Sequence, residues 1–159
     1  MLLTLYSTLL IIFTKNKNML HLHSTLRYVI LVLILIAIVK SLIGWLGKKQ
    51  YTKGDNQISL FLMISVHLQL VVGLVLYFTR GWASAFSEGM GIVMKNASIR
   101  EWSVEHLVAM LLAIILITVG RSKAKKGKDD VAKFKTQAIY YLLSLIIILY
   151  AMPWNRGWF

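Results

Sequence analysis

The feature that most constrains this sequence is a set of four apolar stretches, each close to the length that crosses a lipid bilayer. A membrane-spanning helix needs about 17–25 mainly apolar residues, and its backbone polar groups must be satisfied within the segment. The stretches are Tyr28–Leu46, Ile58–Phe78, Leu107–Gly120 and Ala138–Trp154. The third of them reaches the spanning length once Ser98–His106 is counted as its first turns. We therefore expect an all-α, integral membrane four-helix bundle, with helices over about 22–46, 58–79, 99–120 and 134–153.

Composition supports a lipid-facing protein of one domain. Of the 159 residues, 58% are apolar and 15% are charged, whereas a soluble domain is about 45–50% apolar and about 25% charged. This leaves too little polar surface to cover a water-facing globule. The chain has no cysteine, which excludes disulfides, iron–sulfur clusters, thiolate zinc sites and covalently attached haem.

The N-terminal segment is distinct from the four stretches. Met1–Phe13 is apolar but too short to span a membrane comfortably, and Lys15 and Lys17 follow it instead of preceding it as in a secretory signal. We expect residues 1–18 to be an interfacial segment, or an extension before a natural start at Met19. The four-helix domain is then expected over residues 19–159.

Basic residues indicate how the helices are oriented. The connection between the second and third helices, residues 79–100, holds only Arg80, Lys95 and Arg100. Eleven of the 18 basic residues lie in or beside the other two connections: Lys40, Lys48, Lys49, Lys53, Arg121, Lys123, Lys125, Lys126, Lys128, Lys133 and Lys135. Because positive loops stay in the cytoplasm, we expect both termini on the outer, periplasmic side. The basic charge is then explained by the bilayer and its anionic lipids, not by nucleic acid.

Histidines at membrane depth are the main candidates for function. An ionisable residue inside a membrane span is costly, so it is a functional hypothesis by default. His23, His67 and His106 lie on the first, second and third predicted helices. Three helices therefore each offer an imidazole, while His21 points almost opposite to His23 and is expected on the surface.

Small residues share a helix face with two of these histidines, which allows close helix approach or leaves space for a flat ligand. The face of His23 also carries Arg27, Ile34, Ala37, Ser41 and Gly44. The face of His106 carries Trp102, Ala109, Ala113 and Gly120. On the second helix His67 aligns with one stripe, and a second stripe is formed by Ser65, Gln69 and Gly73. We expect the interior of the bundle where these faces meet.

Haem b is the cofactor that this arrangement favours, because its iron takes nitrogen ligands from facing helices while apolar side chains bury the ring. Counted from the cytoplasmic helix ends, His67 and His106 lie about 13 Å and about 21 Å deep. Helix tilt can absorb this offset, so these two are the predicted iron ligands. His23, at about 34 Å, is the alternative ligand near the outer surface. Arg27 or Arg100 would then pair with the haem propionates.

Two other interpretations remain open. The histidines can be interhelical hydrogen-bond donors in a cofactor-free accessory or assembly subunit of a larger complex. Alternatively, His67 and Glu105 can serve a small proton-coupled transporter, although the helices lack the Gly and Pro interruptions common at transport sites. Acidic residues at the start of the third helix, Glu101 and Glu105, also suit the helix dipole without any further role.

Several segments of the chain resemble the small four-helix bacterial membrane proteins that are loosely called cytochrome b or cytochrome b-like. The resemblance covers residues 19 to about 120, and the segments that carry it are His21–Tyr28, Gly44–Lys49, His67–Leu74 and Val104–His106. It implies one b-type haem held by histidines, which here means His67, His106 or His23. The chain lacks the two spaced histidines on each of two helices that mark di-haem cytochromes b.

The sequence therefore predicts a multi-pass protein of the bacterial inner membrane that binds one haem b near its outer half. Its role would be electron transfer, not stand-alone catalysis. The expected partners are the lipid bilayer and a quinol or respiratory complex, and an oligomer or larger assembly is left open.

Overall fold

The computed structural model describes residues 17–152 and residue 154, and these residues form helices and connections without a strand. Four of the helices in this part of the chain are long and apolar enough to cross a membrane. In chain order the α-helices are α1 (Lys17–Leu46), α2 (Lys53–Thr79), the short α3 (Met90–Lys95), α4 (Ala97–Lys125) and α5 (Asp130–Tyr150). The predicted all-α organisation with four long helices is thus confirmed over the described residues.

The long helices begin earlier than the apolar stretches predicted. Thr52 caps α2 in a reciprocal arrangement with Asp55, and the Asp129 side chain accepts from the backbone N–H of Ala132 at the start of α5. Capping residues fix where a helix starts, whereas hydropathy marks only the part that suits hydrocarbon. Of the predicted N-terminal segment 1–18, Lys17 and Asn18 belong to α1 and the rest lies outside the described residues.

The four long helices form a ring in which each packs against two others. The helix α1 packs on α2 and α5, and α4 packs on α5 and α2. We call the end that carries connections 47–52 and 126–129 the loop end, and the end that carries connection 80–96 the cavity end. The centre is a continuous apolar core that includes Ile34, Leu62, Ile117 and Tyr141, each with essentially no exposed surface.

Glycines allow the closest helix contacts. This agrees with the prediction that small residues on the helix faces permit close approach. A Cβ added at Gly44 of α1 would lie 2.5 Å from the ring of Phe134 on α5. A Cβ at Gly120 of α4 would lie 2.5 Å from the Cβ of Tyr140 on the same neighbour. Ala113 on the face of α4 is also buried. The inward faces of α1 and α4 are therefore those expected from sequence.

Buried polar side chains at the loop end bond to one another. Asp55 pairs with Lys40 at 2.9 Å, and its carboxylate also accepts from the Thr52 hydroxyl at 2.6 Å. Three further bonded groups join neighbouring helices and connections: Ser41–Gln137–Tyr51, Ser59–Tyr141 and Arg121–Asn56. Burial raises the pKa of the Tyr51 hydroxyl above its ordinary value, so this group stays protonated. A cavity of only about 10 Å³ remains among these residues.

Candidate cofactor cavity

A cavity of about 440 Å³ lies at the cavity end, lined mainly by α1, α2 and α4. Cofactor and ligand sites in proteins are typically about 300–1,000 Å³ and mostly apolar, with a few polar groups. The walls here follow that pattern: aliphatic side chains line the deep part, and Tyr77, Trp82 and Trp102 line the outer part. The polar groups that can bind a ligand come from His23, Arg27, Gln69, Arg80 and His106.

His106 presents one defined ring nitrogen to a ligand. Its Nδ1 lies 3.1 Å from the carbonyl oxygen of Ala151, just after α5. A carbonyl only accepts hydrogen bonds, so Nδ1 carries the hydrogen and, in the neutral ring, Nε2 keeps its lone pair. The indole of Trp102 packs beside the imidazole, with ring centroids 5.5 Å apart. His106 is therefore held in the tautomer that a metal ligand requires.

His23 reaches the same cavity from α1. Its ring lies over Gly73 of α2, where an added Cβ would stand 3.2 Å from Cε1 of the imidazole. The Gln69 amide donates to the backbone carbonyl of His23 at 2.9 Å, which ties the two helices together at this level. Nδ1 of His23 and Oε1 of Gln69 are both buried and have no hydrogen-bond partner among the described residues. Such atoms are rare in folded proteins, and these two lie in the packing between α1 and α2 beside the cavity.

His67 does not reach the cavity, and the structure does not bring it together with His106. Its ring is exposed on the outside of the bundle, and Nδ1 donates to the carbonyl of Met63 one turn earlier at 2.8 Å. The inward stripe of α2 instead contains Ser59, Leu62, Val66, Gln69 and Gly73. The sequence ranked His67 above His23 as a partner for His106, whereas in the structure His23 is the one that lines the cavity with His106.

Of the two arginines expected at the site, one lines the cavity and the other does not. Arg27 lines the cavity as predicted, with its guanidinium 5.0 Å from the ring centre of Tyr28. Arg100 does not line it, because its side chain pairs with Glu105 at 2.7 Å and donates to the Met94 carbonyl. Arg80 lines the cavity instead. The sequence offered one sign of this, since Arg80 is the first charged residue after a stretch that has none.

An irregular turn connects the rim of the cavity to His106. Residues Glu101–Glu105 of α4 form a π-helical turn directly before this histidine, and such turns occur frequently at functional sites. Within it, buried Ser103 donates to the carbonyl of Trp82 at 3.1 Å and accepts from the Tyr77 hydroxyl through its own carbonyl at 3.1 Å. The turn thereby holds the start of connection 80–96 beside the cavity.

The arrangement can supply two imidazoles, from α1 and α4, to a ligand with an apolar body. No group of three or more His, Asp or Glu side chains is placed to hold a bare metal ion within residues 17–152 and 154; a haem iron needs only two axial nitrogens. Glu105 and His67 are both exposed on the exterior, and Glu105 pairs with Arg100. His21 lies at the cavity rim with its side chain exposed.

Comparisons of this chain with protein-family models, curated proteins and solved structures found no match. The assignment of a role to the cavity therefore depends on the residues that line it.

Proposed function

We propose that this chain is a membrane-embedded electron-transfer protein, or a subunit of one, that binds one haem b in the cavity. In this proposal His23 and His106 would hold the haem iron. The observation that carries it is that imidazoles from two different helices line one largely apolar cavity of cofactor size. His67, which lies outside that cavity, is not retained as a ligand.

The residues present fit the group. Axial ligation uses a neutral imidazole whose other nitrogen donates to a carbonyl or carboxylate, and the bond from His106 to Ala151 meets this condition. Aliphatic side chains such as Ile30, Val66 and Ile114 would cover the ring. Arg27 would pair with a propionate, since charge-assisted hydrogen bonds from arginine to carboxylate are among the strongest in proteins.

When bound, haem supplies one-electron exchange, and the protein supplies binding and electrostatics. The Ala151 carbonyl would fix the orientation of the His106 ring and keep the hydrogen on Nδ1. Gly73 leaves room for the His23 ring, and Gln69 holds the backbone of the same residue. The apolar walls exclude water from the ring and so influence its reduction potential.

We place the protein in the bacterial inner membrane with both termini outside. The support is the concentration of lysines at the loop end, which the positive-inside rule assigns to the cytoplasm. The cavity then opens toward the outer face, where a quinol or a respiratory-complex partner would exchange electrons.

The test is a visible absorption spectrum of the protein purified in a neutral detergent. We expect a Soret band that shifts on dithionite reduction. His23→Ala and His106→Ala should each remove at least about nine-tenths of the bound haem, because each takes away one axial ligand. His67→Ala is the matched control, since it removes an imidazole from the exterior of the same bundle.

Each outcome discriminates between proposals. Loss of the band in His67→Ala with retention in the other two would overturn the ligand assignment. A protein that is purified colourless with a larger complex, and that retains no added haem after gel filtration, would overturn the haem proposal. That result would instead favour a cofactor-free accessory subunit.

A further inference from the structure

His67 is a polar side chain on the outer surface of α2. It lies near the middle of that helix, and its ring is exposed. Nδ1 donates to the Met63 carbonyl at 2.8 Å, so Nε2 keeps a lone pair, and no described residue bonds to it. The core of a bilayer has no water to supply a donor, and polar side chains at this depth usually face protein. The imidazole therefore offers an acceptor to a further helix.

Ser65 offers the complementary group on the same helix. Its hydroxyl bonds to no described residue, and its side chain is only half-buried. At 3.6 residues per turn, Ser65 and His67 lie on opposite flanks of the outer face and differ by only about 3 Å along the helix axis. Exposed apolar side chains lie between the two flanks: Phe61, Ile64, Leu68 and Val71.

We propose that the outer face of α2 is the interface between two copies of this chain. A two-fold axis along the membrane normal places equal depths of the two helices side by side. It also turns the His67 flank of one copy toward the Ser65 flank of the other. The Ser65 hydroxyl of each copy then donates to Nε2 of His67 in the other, so that the bond occurs twice. The apolar stripe packs along the axis, with the alternate spacing of three and four residues that a coiled-coil seam has.

A second copy fits this face because α2 supplies both the donor and the acceptor. Acyl chains of lipid can bond to neither group. An unrelated helix would need an acceptor opposite Ser65 and a donor opposite His67 at the same small offset in depth. The interface lies on the outside of the bundle, so it does not depend on what the cavity binds.

Cysteine crosslinking in membranes tests the interface, because the chain contains no cysteine of its own. Leu68→Cys places one thiol on the apolar stripe. Ile146→Cys is the matched control, since Ile146 is equally exposed on α5 and lies at a similar depth, counted from the helix starts. Under a lipid-soluble oxidant we expect most of Leu68→Cys, and little of Ile146→Cys, to form a disulfide-linked dimer. Equal crosslinking of the two variants, or none in Leu68→Cys, would overturn the interface.

Two further variants test the paired bonds. Ser65→Ala and His67→Leu each remove both bonds from a dimer, so each should lower the association constant about tenfold. Energy transfer between labelled copies in a neutral detergent measures this constant.

Mixing the two variants separates the bonds from a general effect on packing. Ser65→Ala keeps the acceptor and His67→Leu keeps the donor, so a mixed dimer regains one of the two bonds. It should associate several-fold more tightly than either variant does with itself. A mixed dimer no tighter than those two would overturn the pairing of Ser65 with His67, even if Leu68→Cys forms crosslinks.

Discussion

At the loop end of the bundle the buried polar side chains bond to one another, whereas at the cavity end two buried polar atoms have no partner among the described residues and a large cavity lies beside them. Asp55 has Lys40 and Thr52 as partners, and the remaining gap is about 10 Å³. The opposite end encloses about 440 Å³, and the buried atoms His23 Nδ1 and Gln69 Oε1 have no partner among the described residues. The same four helices thus bury polar side chains in two ways: bonded to one another at the loop end, and partly without partners at the cavity end.

This difference separates stability from binding capacity. A satisfied polar network stabilises helix packing, while an unsatisfied one retains polar groups and space for a ligand. Sites kept open for function commonly cost stability. We therefore expect changes at the loop end to alter the free energy of unfolding, and changes at the cavity end to alter ligand binding.

The largest effect is expected from Asp55→Ala. This change removes the partner of Lys40 and half of the capping box with Thr52. We expect the free energy of unfolding to fall by about 1–3 kcal/mol, mostly through loss of the cap, because Lys40 is half-exposed and its pair with Asp55 is screened by solvent; denaturation in mixed micelles measures it. The control is Glu105→Ala, which breaks the exposed pair with Arg100 at the cavity end and should cost less than about 1 kcal/mol. Equal losses of stability in the two variants would contradict the proposed difference between the loop end and the cavity end.

A matched pair of alanines tests the difference in space. Ala37 lines the 10 Å³ gap and Ala113 lines the large cavity. Ala37→Leu should lower the free energy of unfolding by about 1–3 kcal/mol through overpacking, without weakening haem binding. Ala113 is also buried, so Ala113→Leu should lower stability by a similar amount. It should in addition weaken haem binding at least about tenfold, because the new side chain would occupy ligand space. Weaker haem binding in Ala37→Leu but not in Ala113→Leu would contradict this difference between the two ends.

Two tyrosines provide a finer test. Tyr141→Phe leaves the buried Ser59 hydroxyl without its 2.6 Å partner, so we expect a loss of about 1–2 kcal/mol. Tyr77→Phe removes a bond to the Ser103 carbonyl that is only part-buried, so we expect a loss of less than about 1 kcal/mol. Thermal unfolding of both variants in one detergent is sufficient to compare them. A larger loss of stability in Tyr77→Phe than in Tyr141→Phe would mean that the polar contacts at the cavity end contribute more to stability than those at the loop end.

The smallest effect on stability is expected from Gly73→Ala. The new methyl group would stand 3.2 Å from Cε1 of His23, so the ring must move by a few tenths of an ångström. We expect the free energy of unfolding to change by less than about 1 kcal/mol, since alanine also favours a helix. Haem affinity should nevertheless fall several-fold. Gly91→Ala, where nothing lies within 4 Å, is the control; an equal change in affinity there would contradict a contact through His23.

The sequence was sufficient for the long helices and for two of their inward faces. Spans follow from hydropathy because lipid accepts only segments whose backbone is internally bonded. The faces of α1 and α4 follow from glycines, since only a residue without a side chain allows the contacts seen at Gly44 and Gly120. The helix starts were less predictable, because a polar cap such as Thr52 lies beyond the apolar stretch.

The candidate site was predicted only in part. His23, Arg27 and His106 were named, but α2 is apolar on all sides, so periodicity could not decide whether the stripe of His67 or that of Gln69 faces inward. The pairing of Lys40 with Asp55 was missed because it depends on how α1 and α2 pack, not on local sequence. Arg80 was missed for a related reason: it lies in a connection whose position is set by contacts with α4.

The hydrogen bond from His106 to Ala151 joins α4 to the chain just beyond the last long helix described. Until that helix has packed, the imidazole has no fixed tautomer. If the cavity holds haem as proposed, assembly of the site would be ordered in time: the fourth long helix would pack first, and loading of the porphyrin would follow. A lesion that detaches residue 151 would then change the colour of the protein before it changed the amount that accumulates.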